Sequence, residues 1–536
     1  MTKLEIYDCT PRDGVQAEGA SINEERRKNL VMLLDGYGMH FIEAGWPTKP
    51  EIVQSIRELT WKVKKSKVVA FGSTSHAERV EEDPNLRGIL DSRATHATIF
   101  GKTWKDHIDK QLRISYEANL KKIEESVKFL TGHGRTVFYD AEHYFDGFRQ
   151  DPEYAVKTLI AALSGRAQRF ILCDTIGGTM PFHVHTQTDV LQPEEIKSIM
   201  GKTVRRLGEY GIKDPESLLG VHFHNDKGLA LANALISLPY VTQMQGTING
   251  YGERVGNLNL NQFLCNYALA GGEVDVDLKR TKEVYEKACK EVGLPIDAYA
   301  PFVGENAGAH KGGVHVNALG KGASYEPYAL ELVGNKRKIV LNTQGGKSAI
   351  IDTAKEFGYL LDWENPAIRE RGEHLFRELA EMENEGYAIG TNDAEKRILI
   401  ERYFGNWKSM FKILDWEAKT SMHRGSDFDL LLGIQGKTLE TKVHVPHPEG
   451  AVDAGWKAFR ELMVPYYPAL EGLILDDYKV LMLEHKKEES PVRTEILFSN
   501  GKEFSTVGVH TNSFISNVIS MEKGFTYHLN QMGKSI

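Results

Sequence analysis

Two histidines separated by a single residue are the strongest chemical signal in this sequence. His222 and His224 lie in a short apolar run, residues 218–224, which is typical of a buried strand. Side chains alternate along a strand, so both imidazoles point to the same side, about 6.6 Å apart along it. Two imidazoles held in this way can share one metal ion. Histidine pairs on strands also occur as ordinary core or surface residues, and the pair alone leaves both readings open.

The elements that would hold these histidines are repeated along the chain. The first 275 or so residues alternate short β-rich apolar runs with helical patterns, as βαβ units do. Eight repeats favour a closed (β/α)8 TIM barrel over an open doubly wound sheet, and no G-x-G-x-x-G fingerprint follows the first strand. The predicted strands are Leu4–Asp8, His40–Gly45, Lys67–Phe71, His96–Phe100, Thr136–Asp140, Arg169–Cys173, Leu218–His224 and Thr242–Gly246.

Polar residues follow most of these strands, at the barrel end where chemistry takes place in such folds. Strands seven, eight and one become neighbours when the barrel closes, which would bring His222, His224, Asn257 and Asp13 around one point. Asp13 and Asn257 would supply the oxygen ligands that a catalytic divalent site needs. For Asp13 alone, a helix N-cap is the competing interpretation. Other polar residues at the same strand ends are Arg12, Glu43, Asp140, Glu142 and Thr175.

The rest of the chain has a different pattern. A glycine-rich stretch around His310 is followed by helical patterns to about Tyr403, and short strands with one helix follow from about Trp416. We therefore expect a catalytic barrel domain at 1–275, mostly helical linker subdomains at 276–410, and a C-terminal α+β domain at 411–536. Modules appended in this way commonly regulate or dimerise an enzyme.

Composition excludes several classes of function. The 536 residues are 41% hydrophobic and 26% charged with a net charge of −8, as in ordinary globular proteins, and no basic cluster suggests a nucleic acid partner. The four cysteines form no C-x-x-C pair, so neither a zinc knuckle nor a disulfide framework is indicated. No run of 18 apolar residues and no apolar leader is present, and we expect a cytoplasmic protein without a membrane partner.

Four motifs together resemble the DRE-TIM metallolyase superfamily, which includes the 2-isopropylmalate, homocitrate and citramalate synthases. Residues 8–14 (DCTPRDG) are similar to its D-T-T-L-R-D-G opening, and residues 222–226 (HFHND) to its H-x-H-N-D strand. Residues 246–261 resemble its G-T-x-N-G-x-G-E-R-x-G-N signature, and residues 309–315 (AHKGGVH) its A-H-K-G-G-x-H loop. The sequence departs from these motifs at Cys9, Pro11, Val255 and Leu258.

The resemblance implies a metal-dependent Claisen condensation of acetyl-CoA, the co-substrate, with a 2-oxo acid. Its metal ligands would be Asp13, His222, His224 and Asn257, around Mn, Mg, Zn or Co. Catalytic roles would fall to Arg12, Glu142, His310 and Tyr325, and substrate-binding roles to Arg12, Glu43 and Thr175. Glu43 would orient Arg12, and Thr175 would bind the substrate carboxylate.

Further stretches, among them residues 70–74 and 140–147, are similar to the citramalate synthase branch of the family. The C-terminal module resembles the family's allosteric dimerisation domain, which implies a homodimer and an amino-acid effector, isoleucine for this branch. Three alternatives stay open at this point. They are a 2-isopropylmalate synthase, a lyase that runs the reverse cleavage, and a non-catalytic regulatory subunit.

Overall fold

The computed structural model describes residues 3–182, 195–310, 324–390, 392–483 and 490–532. The chain forms two compact units. The first comprises Met1–Ala307 with Tyr328–Lys336, and the second comprises Gly308–Pro327 with Arg337–Ile536. None of the described helices is long and apolar enough to cross a membrane.

The first unit contains a closed barrel of eight parallel strands in sequence order, so the predicted barrel is confirmed. Strand β1 pairs with both β2 and β8, with Asp8 opposite Gly246, which closes the ring. Each predicted strand is present with its bounds shifted by at most a few residues. The strands are β1 Glu5–Asp8, β2 Phe41–Gly45, β3 Lys67–Ser73, β4 His96–Lys102, β5 Thr136–Glu142, β6 Arg169–Asp174, β7 Leu219–Phe223 and β8 Gln243–Gly246.

Helices surround the barrel, and their ends follow from local sequence. The first helix begins after Asn23, whose side chain accepts a hydrogen bond from the backbone amide of Arg26, and ends at Gly38 in the left-handed region. The main helices of this unit are α1 Glu24–Tyr37, α2 Pro50–Lys62, α3 Pro84–Asp91, α4 Tyr116–Gly132, α5 Tyr144–Gln150, α6 Pro152–Ser164, α7 Ile196–Glu209, α8 Ala230–Ser237, α9 Leu260–Leu269 and α10 Thr281–Val292.

Alternation along the strands divides the barrel residues into two sets. Those that point outward pack against the helices in one large apolar core. Those that point inward include a small aromatic and aliphatic cluster of Tyr7, Cys9, Phe41, Val69 and Phe138. This packed interior forms a floor beneath the polar residues at the C-terminal ends of the strands.

The second unit combines helices with two small antiparallel sheets. A short parallel pair, β9 Ala309–His310 and β10 Lys338–Ile339, precedes three helices with a core of their own. These helices are α11 Gly346–Glu356, α12 Pro366–Glu385 and α13 Asp393–Phe404.

The C-terminal part of this unit repeats one arrangement, in which three antiparallel strands are followed by a helix. The sequence predicted short strands with one helix from about Trp416, and it did not predict the second helix or the individual strands β11 to β13. Both sheets and both helices share one apolar core. The elements are β11 Lys412–Ser421, β12 Gly425–Ile434, β13 Lys437–Val445, α14 Ala451–Met463, β14 Ile474–Met482, β15 Val492–Ser499, β16 Glu503–His510 and α15 Ser513–Met532.

Candidate metal centre

The loop after β1 is folded tightly around one carbonyl group. The backbone amides of Arg12, Asp13 and Gly14 all approach the carbonyl oxygen of Cys9, at 3.1, 2.8 and 3.2 Å. Thr10 secures the loop to the segment that follows the neighbouring strand β8, because its hydroxyl accepts a hydrogen bond from the amide of Ile248 at 2.8 Å. This turn directs the side chains of Arg12 and Asp13 towards the mouth of the barrel.

His222 and His224 are brought together with Asp13, as the sequence predicted. Ligand atoms of the three side chains all lie within 4.8 Å of one another. The rings of His222 and His224 have centroids 5.2 Å apart, and His222 Nε2 lies 3.5 Å from Asp13 Oδ2. All three residues are buried. Within the described ranges, this is the one group of three or more His, Cys, Asp or Glu side chains with metal-site spacing.

Asn257 lies beside His224, with which it forms an isolated antiparallel bridge. Its Nδ2 donates to the carbonyl of Tyr251 at 3.0 Å, which orients the amide. The turn that holds it needs glycine at two positions. Gly256 has φ +90, where a Cβ would lie 1.9 Å from a backbone oxygen, and a Cβ on Gly252 would lie 2.3 Å from Asn257 Nδ2.

Two buried polar atoms at this centre have no hydrogen-bond partner among the described residues. They are Asn257 Oδ1 and His224 Nδ1. An unpartnered buried polar atom costs free energy, and here each is also a good donor to a divalent cation. Together with the carboxylate of Asp13 and the imidazole of His222, they form a mixed oxygen and nitrogen set. These residues therefore fit a divalent metal ion.

Burial and charge act in opposite directions on the three candidate ligands. Burial opposes ionisation of Asp13, but nearby Arg12 and His222 outweigh it and hold the pKa of this carboxyl below its usual value. Burial also opposes the charge of His222, but its contact with Asp13 raises the pKa of this imidazole. Burial, reinforced by His222, lowers the pKa of His224 to about 3, so this ring is neutral at pH 7.

Arg12 is held in place from three sides. Its Nε contacts Glu43 Oε1, and its guanidinium carbon lies 3.6 Å from the centroid of the Phe71 ring. Its Nη1 lies 3.6 Å from Asp13 Oδ2. The other oxygen of Glu43 accepts from the Tyr7 hydroxyl at 2.6 Å. Because both oxygens of Glu43 are occupied within the protein, the geometry favours its role in orienting Arg12.

Glu142 and Thr175 lie at the ends of β5 and β6. Lys102 Nζ forms an ion pair with Glu142 Oε2 at 2.5 Å, although the two groups are not oriented for a hydrogen bond. The hydroxyl oxygen of Thr175 accepts from the backbone amide of His143 at 2.8 Å. Among the described residues no group accepts the proton of this hydroxyl, and its predicted contact with a substrate carboxylate stays a prediction.

His310 and Tyr325 belong to the second unit and are described there by themselves. His310 Nε2 lies 3.2 Å from Glu326 Oε1, and Glu326 also binds Arg337 through both of its oxygens. Tyr325 is 46% exposed. The rest of the predicted glycine-rich loop, residues 311–323, lies outside the described residues.

From the sequence, Asp140 was a polar residue at a strand end without a predicted role. Asp140 points into the barrel one alternation below Glu142, and its Oδ1 has no hydrogen-bond partner in the described part of the chain. Burial, reinforced by Glu43, raises the pKa of this carboxyl to about 7. The spacing of Asp140 and Glu142 was the available signal, since both must face inward on one strand.

Comparison with known proteins places these residues within a family. The family model described as HMGL-like matches residues 3–287, more than half of the chain, and one described as homocitrate synthase post-HMGL domain-like matches residues 302–381. Among solved structures, an HMG-CoA lyase from Bacillus subtilis is similar at 18% identity with a TM-score of 0.45, over 55% of this chain and 95% of that chain.

The curated relatives extend over nearly the full length. The chain is 36% identical to an (R)-citramalate synthase from Aquifex aeolicus, covering 98% of each sequence. It is 35% identical to one from Synechocystis sp., covering 98% of this chain and 96% of the relative. A 2-isopropylmalate synthase from Sulfolobus acidocaldarius is more distant, at 29% identity over 73% of this chain and 94% of that relative.

Proposed function

Because the chain belongs to the HMGL-like family and is similar over nearly its whole length to curated (R)-citramalate synthases, we propose that it is an (R)-citramalate synthase. Such an enzyme condenses acetyl-CoA with pyruvate, and it is an acyltransferase that converts the acyl group into an alkyl group on transfer. The observation that carries the proposal is the convergence of Asp13, His222 and His224 beside Arg12 at the C-terminal end of the barrel.

The reaction has two parts. In the first, the methyl group of acetyl-CoA loses a proton to a base, its carbon bonds to C2 of pyruvate, and the ketone oxygen takes up a proton. In the second, water attacks the thioester carbonyl, the carbon–sulfur bond breaks, and CoA leaves as a thiol with citramalate as the other product. The protein must therefore stabilise negative charge on the ketone oxygen and move protons at two positions.

Asp13, His222, His224 and Asn257 would hold a divalent ion, with Mn, Mg, Zn and Co all compatible with this mixed donor set. When bound, the ion supplies a Lewis acid that polarises the ketone. Arg12 stabilises the negative charge that develops on the ketone oxygen, and Glu43 fixes the direction of its guanidinium. Because Arg12 is oriented before the reaction, no dipole has to turn as the charge forms. The free energy cost of reorganising the site is therefore lower.

The remaining predicted residues would bind substrate and move protons. Thr175 donates its hydroxyl proton to the substrate carboxylate. Glu142 accepts and returns a proton, and Lys102 forms an ion pair with its carboxylate. The family resemblance assigns further catalytic roles to His310 and Tyr325.

Release of thiol from acetyl-CoA with a panel of 2-oxo acids tests this function. We expect kcat/KM to be highest with pyruvate. A higher value with 2-oxoisovalerate would contradict the assignment and favour a 2-isopropylmalate synthase. No thiol release with any 2-oxo acid, from protein loaded with each of the four metals in turn, would contradict an enzymatic role altogether.

The C-terminal part would serve regulation and dimerisation, with isoleucine as the effector and a homodimer as the assembly. An exposed apolar strand supports the dimer. On β14 the side chains of Ile474, Tyr478, Val480, Leu481 and Met482 are each 47 to 56% exposed. An apolar strand exposed in this way is typical of an interaction surface.

Two measurements test the regulatory role. Isoleucine at millimolar concentration should lower the rate of the full-length protein. Removing the chain from about Phe411 onward should abolish this inhibition while retaining activity. If no branched-chain amino acid changes either the rate or the melting temperature, the C-terminal part has a structural role only.

A further inference from the structure

A row of polar side chains lies inside the barrel, below the candidate metal centre. The two glutamines of β8, Gln243 and Gln245, point inward and are 0% exposed. The strand neighbours that they meet are Glu5 on β1 and His222 on β7. A buried amide costs free energy unless its donors and acceptors are satisfied, so the partners of these glutamines define what they do.

The direction of the hydrogen bonds along this row is set at its lower end. Glu5 Oε2 accepts from Arg169 Nη2 at 3.3 Å and from Gln243 Nε2 at 3.3 Å. An arginine-paired carboxylate can only accept hydrogen bonds. Gln243 must therefore turn its amide nitrogen towards Glu5 and its oxygen towards the next residue in the row.

Gln245 is the next residue of the row, above Gln243. Gln243 Oε1 accepts from Gln245 Nε2 at 3.4 Å, which turns Gln245 Oε1 towards His222. Gln245 Oε1 lies 3.2 Å from His222 Nδ1. An amide oxygen only accepts, so His222 has to carry a proton on Nδ1. The other ring nitrogen, Nε2, is the one that faces Asp13, at 3.5 Å.

We propose that Glu5, Gln243 and Gln245 are positioning residues for the metal ligand His222. They fix its ring orientation and its Nδ1–H tautomer, and they thereby present the lone pair of Nε2 to the ion. The inference rests on the proposed metal-dependent function. Hydrogen bonds to the second nitrogen of a ligating histidine commonly matter to metal affinity by about 10- to 100-fold.

Titration of the metal-free full-length protein with Mn²⁺ alone, without substrate, tests the inference. Gln245→Met fills a similar volume without an acceptor, and we expect its Kd for Mn²⁺ to rise about 10- to 100-fold. Gln245→Glu retains an acceptor oxygen for the Nδ1 proton, and we expect it to bind within about threefold of the wild type. A purely structural role would not separate these two variants. Wild-type affinity in Gln245→Met would overturn the proposal, as would equal weakening in both variants.

A second variant is available if Gln245→Met does not fold. Glu5→Gln replaces the partly exposed carboxylate at the lower end of the row by an amide. Because this amide can also donate, the side-chain amides of Gln243 and Gln245 can both flip and exchange donor and acceptor. We expect it to weaken Mn²⁺ binding, while Glu209→Gln on the barrel surface has no effect. Wild-type affinity in Glu5→Gln would then overturn the proposal. Failure of the metal site itself would look different, because the wild type would bind no Mn²⁺ or His224→Ala would bind it equally well.

Discussion

The guanidinium of Arg12 lies over the ring of Phe71, with its central carbon 3.6 Å from the ring centroid. Phe71 is supported in turn by Phe100, whose ring stacks on it with a centroid distance of 5.6 Å. The face of an aromatic ring attracts a cation and leaves the guanidinium edges available for hydrogen bonds. Phe71 and Glu43 therefore hold the guanidinium of Arg12 from two sides.

This contact gives the first prediction. Replacing Phe71 by leucine keeps an apolar surface and removes the ring, and a cation–ring contact contributes about 0.5–2 kcal/mol. We expect kcat/KM for pyruvate to fall about 2- to 30-fold. Phe71→Tyr retains the ring and should keep most of the activity. Phe170→Leu, in the apolar core between the barrel and its helices, is the matched control. Equal rates in Phe71→Leu and the wild type would show that the ring does not position the guanidinium.

The second prediction concerns Arg12 itself. Arg12→Lys keeps the positive charge and loses the planar fork that Glu43 and Phe71 hold. We expect kcat to fall about 10²-fold or more, in line with the loss of one preorganised donor. Steady-state kinetics with pyruvate and acetyl-CoA would measure this. A change confined to KM would mean that Arg12 only binds substrate.

The third prediction concerns the metal ligands. His222→Ala or His224→Ala removes one member of the buried cluster with Asp13, and we expect condensation to be abolished while the fold is retained. Thiol release measures activity, and circular dichroism measures the fold. Treatment of the wild type with a chelator should have the same effect and should be reversed by Mn²⁺. Wild-type turnover in either variant after metal removal would rule out the site.

The fourth prediction is a pH dependence of stability. Burial, reinforced by Lys67, lowers the pKa of His96 in the folded barrel to about 4, against about 6.5 when unfolded. The unfolded chain therefore binds a proton between these values that the folded chain does not. The contribution of His96 to the free energy of unfolding is complete above about pH 6.5. It is lost as the pH falls towards 4, by at most about 1.4 kcal/mol per pH unit.

The measurement for His96 is the melting temperature at a series of pH values. His96→Gln should flatten the decline between pH 6.5 and 4, since it removes the titrating group. His76→Gln changes an exposed histidine and should leave the decline as it is in the wild type. Parallel curves for His96→Gln and the wild type would show that this imidazole does not contribute.

The fifth prediction concerns the exposed strand β14. Val480 is 48% exposed and lies among other exposed apolar side chains of the strand. If β14 forms the dimer contact, Val480→Lys buries a charge at the interface and should shift the protein towards monomer in analytical ultracentrifugation. Thr438→Lys, at an exposed position of the other sheet, should not. An unchanged dimer in Val480→Lys would place the contact elsewhere.

The barrel and most of its candidate metal centre could be predicted from the sequence alone. Side-chain alternation along a strand has a period of two, so His222 and His224 had to share a face. Eight strand–helix repeats had to close with the first strand beside the eighth, which brought Asp13 to the same point. Both inferences depend on local periodicity and on one closure rule, and a sequence carries this information directly.

The hydrogen-bond partners of individual polar atoms are visible only in the folded protein. Asn257 Oδ1 has no hydrogen-bond partner among the described residues because a glycine turn directs the amide nitrogen to the carbonyl of Tyr251. The proton on His222 Nδ1 depends on Gln245 from the adjacent strand. The strands β11 to β13 likewise form by pairing with one another. Hydrogen bonds between distant residues leave no periodic pattern in the chain, because they are selected by the three-dimensional packing that local sequence does not encode.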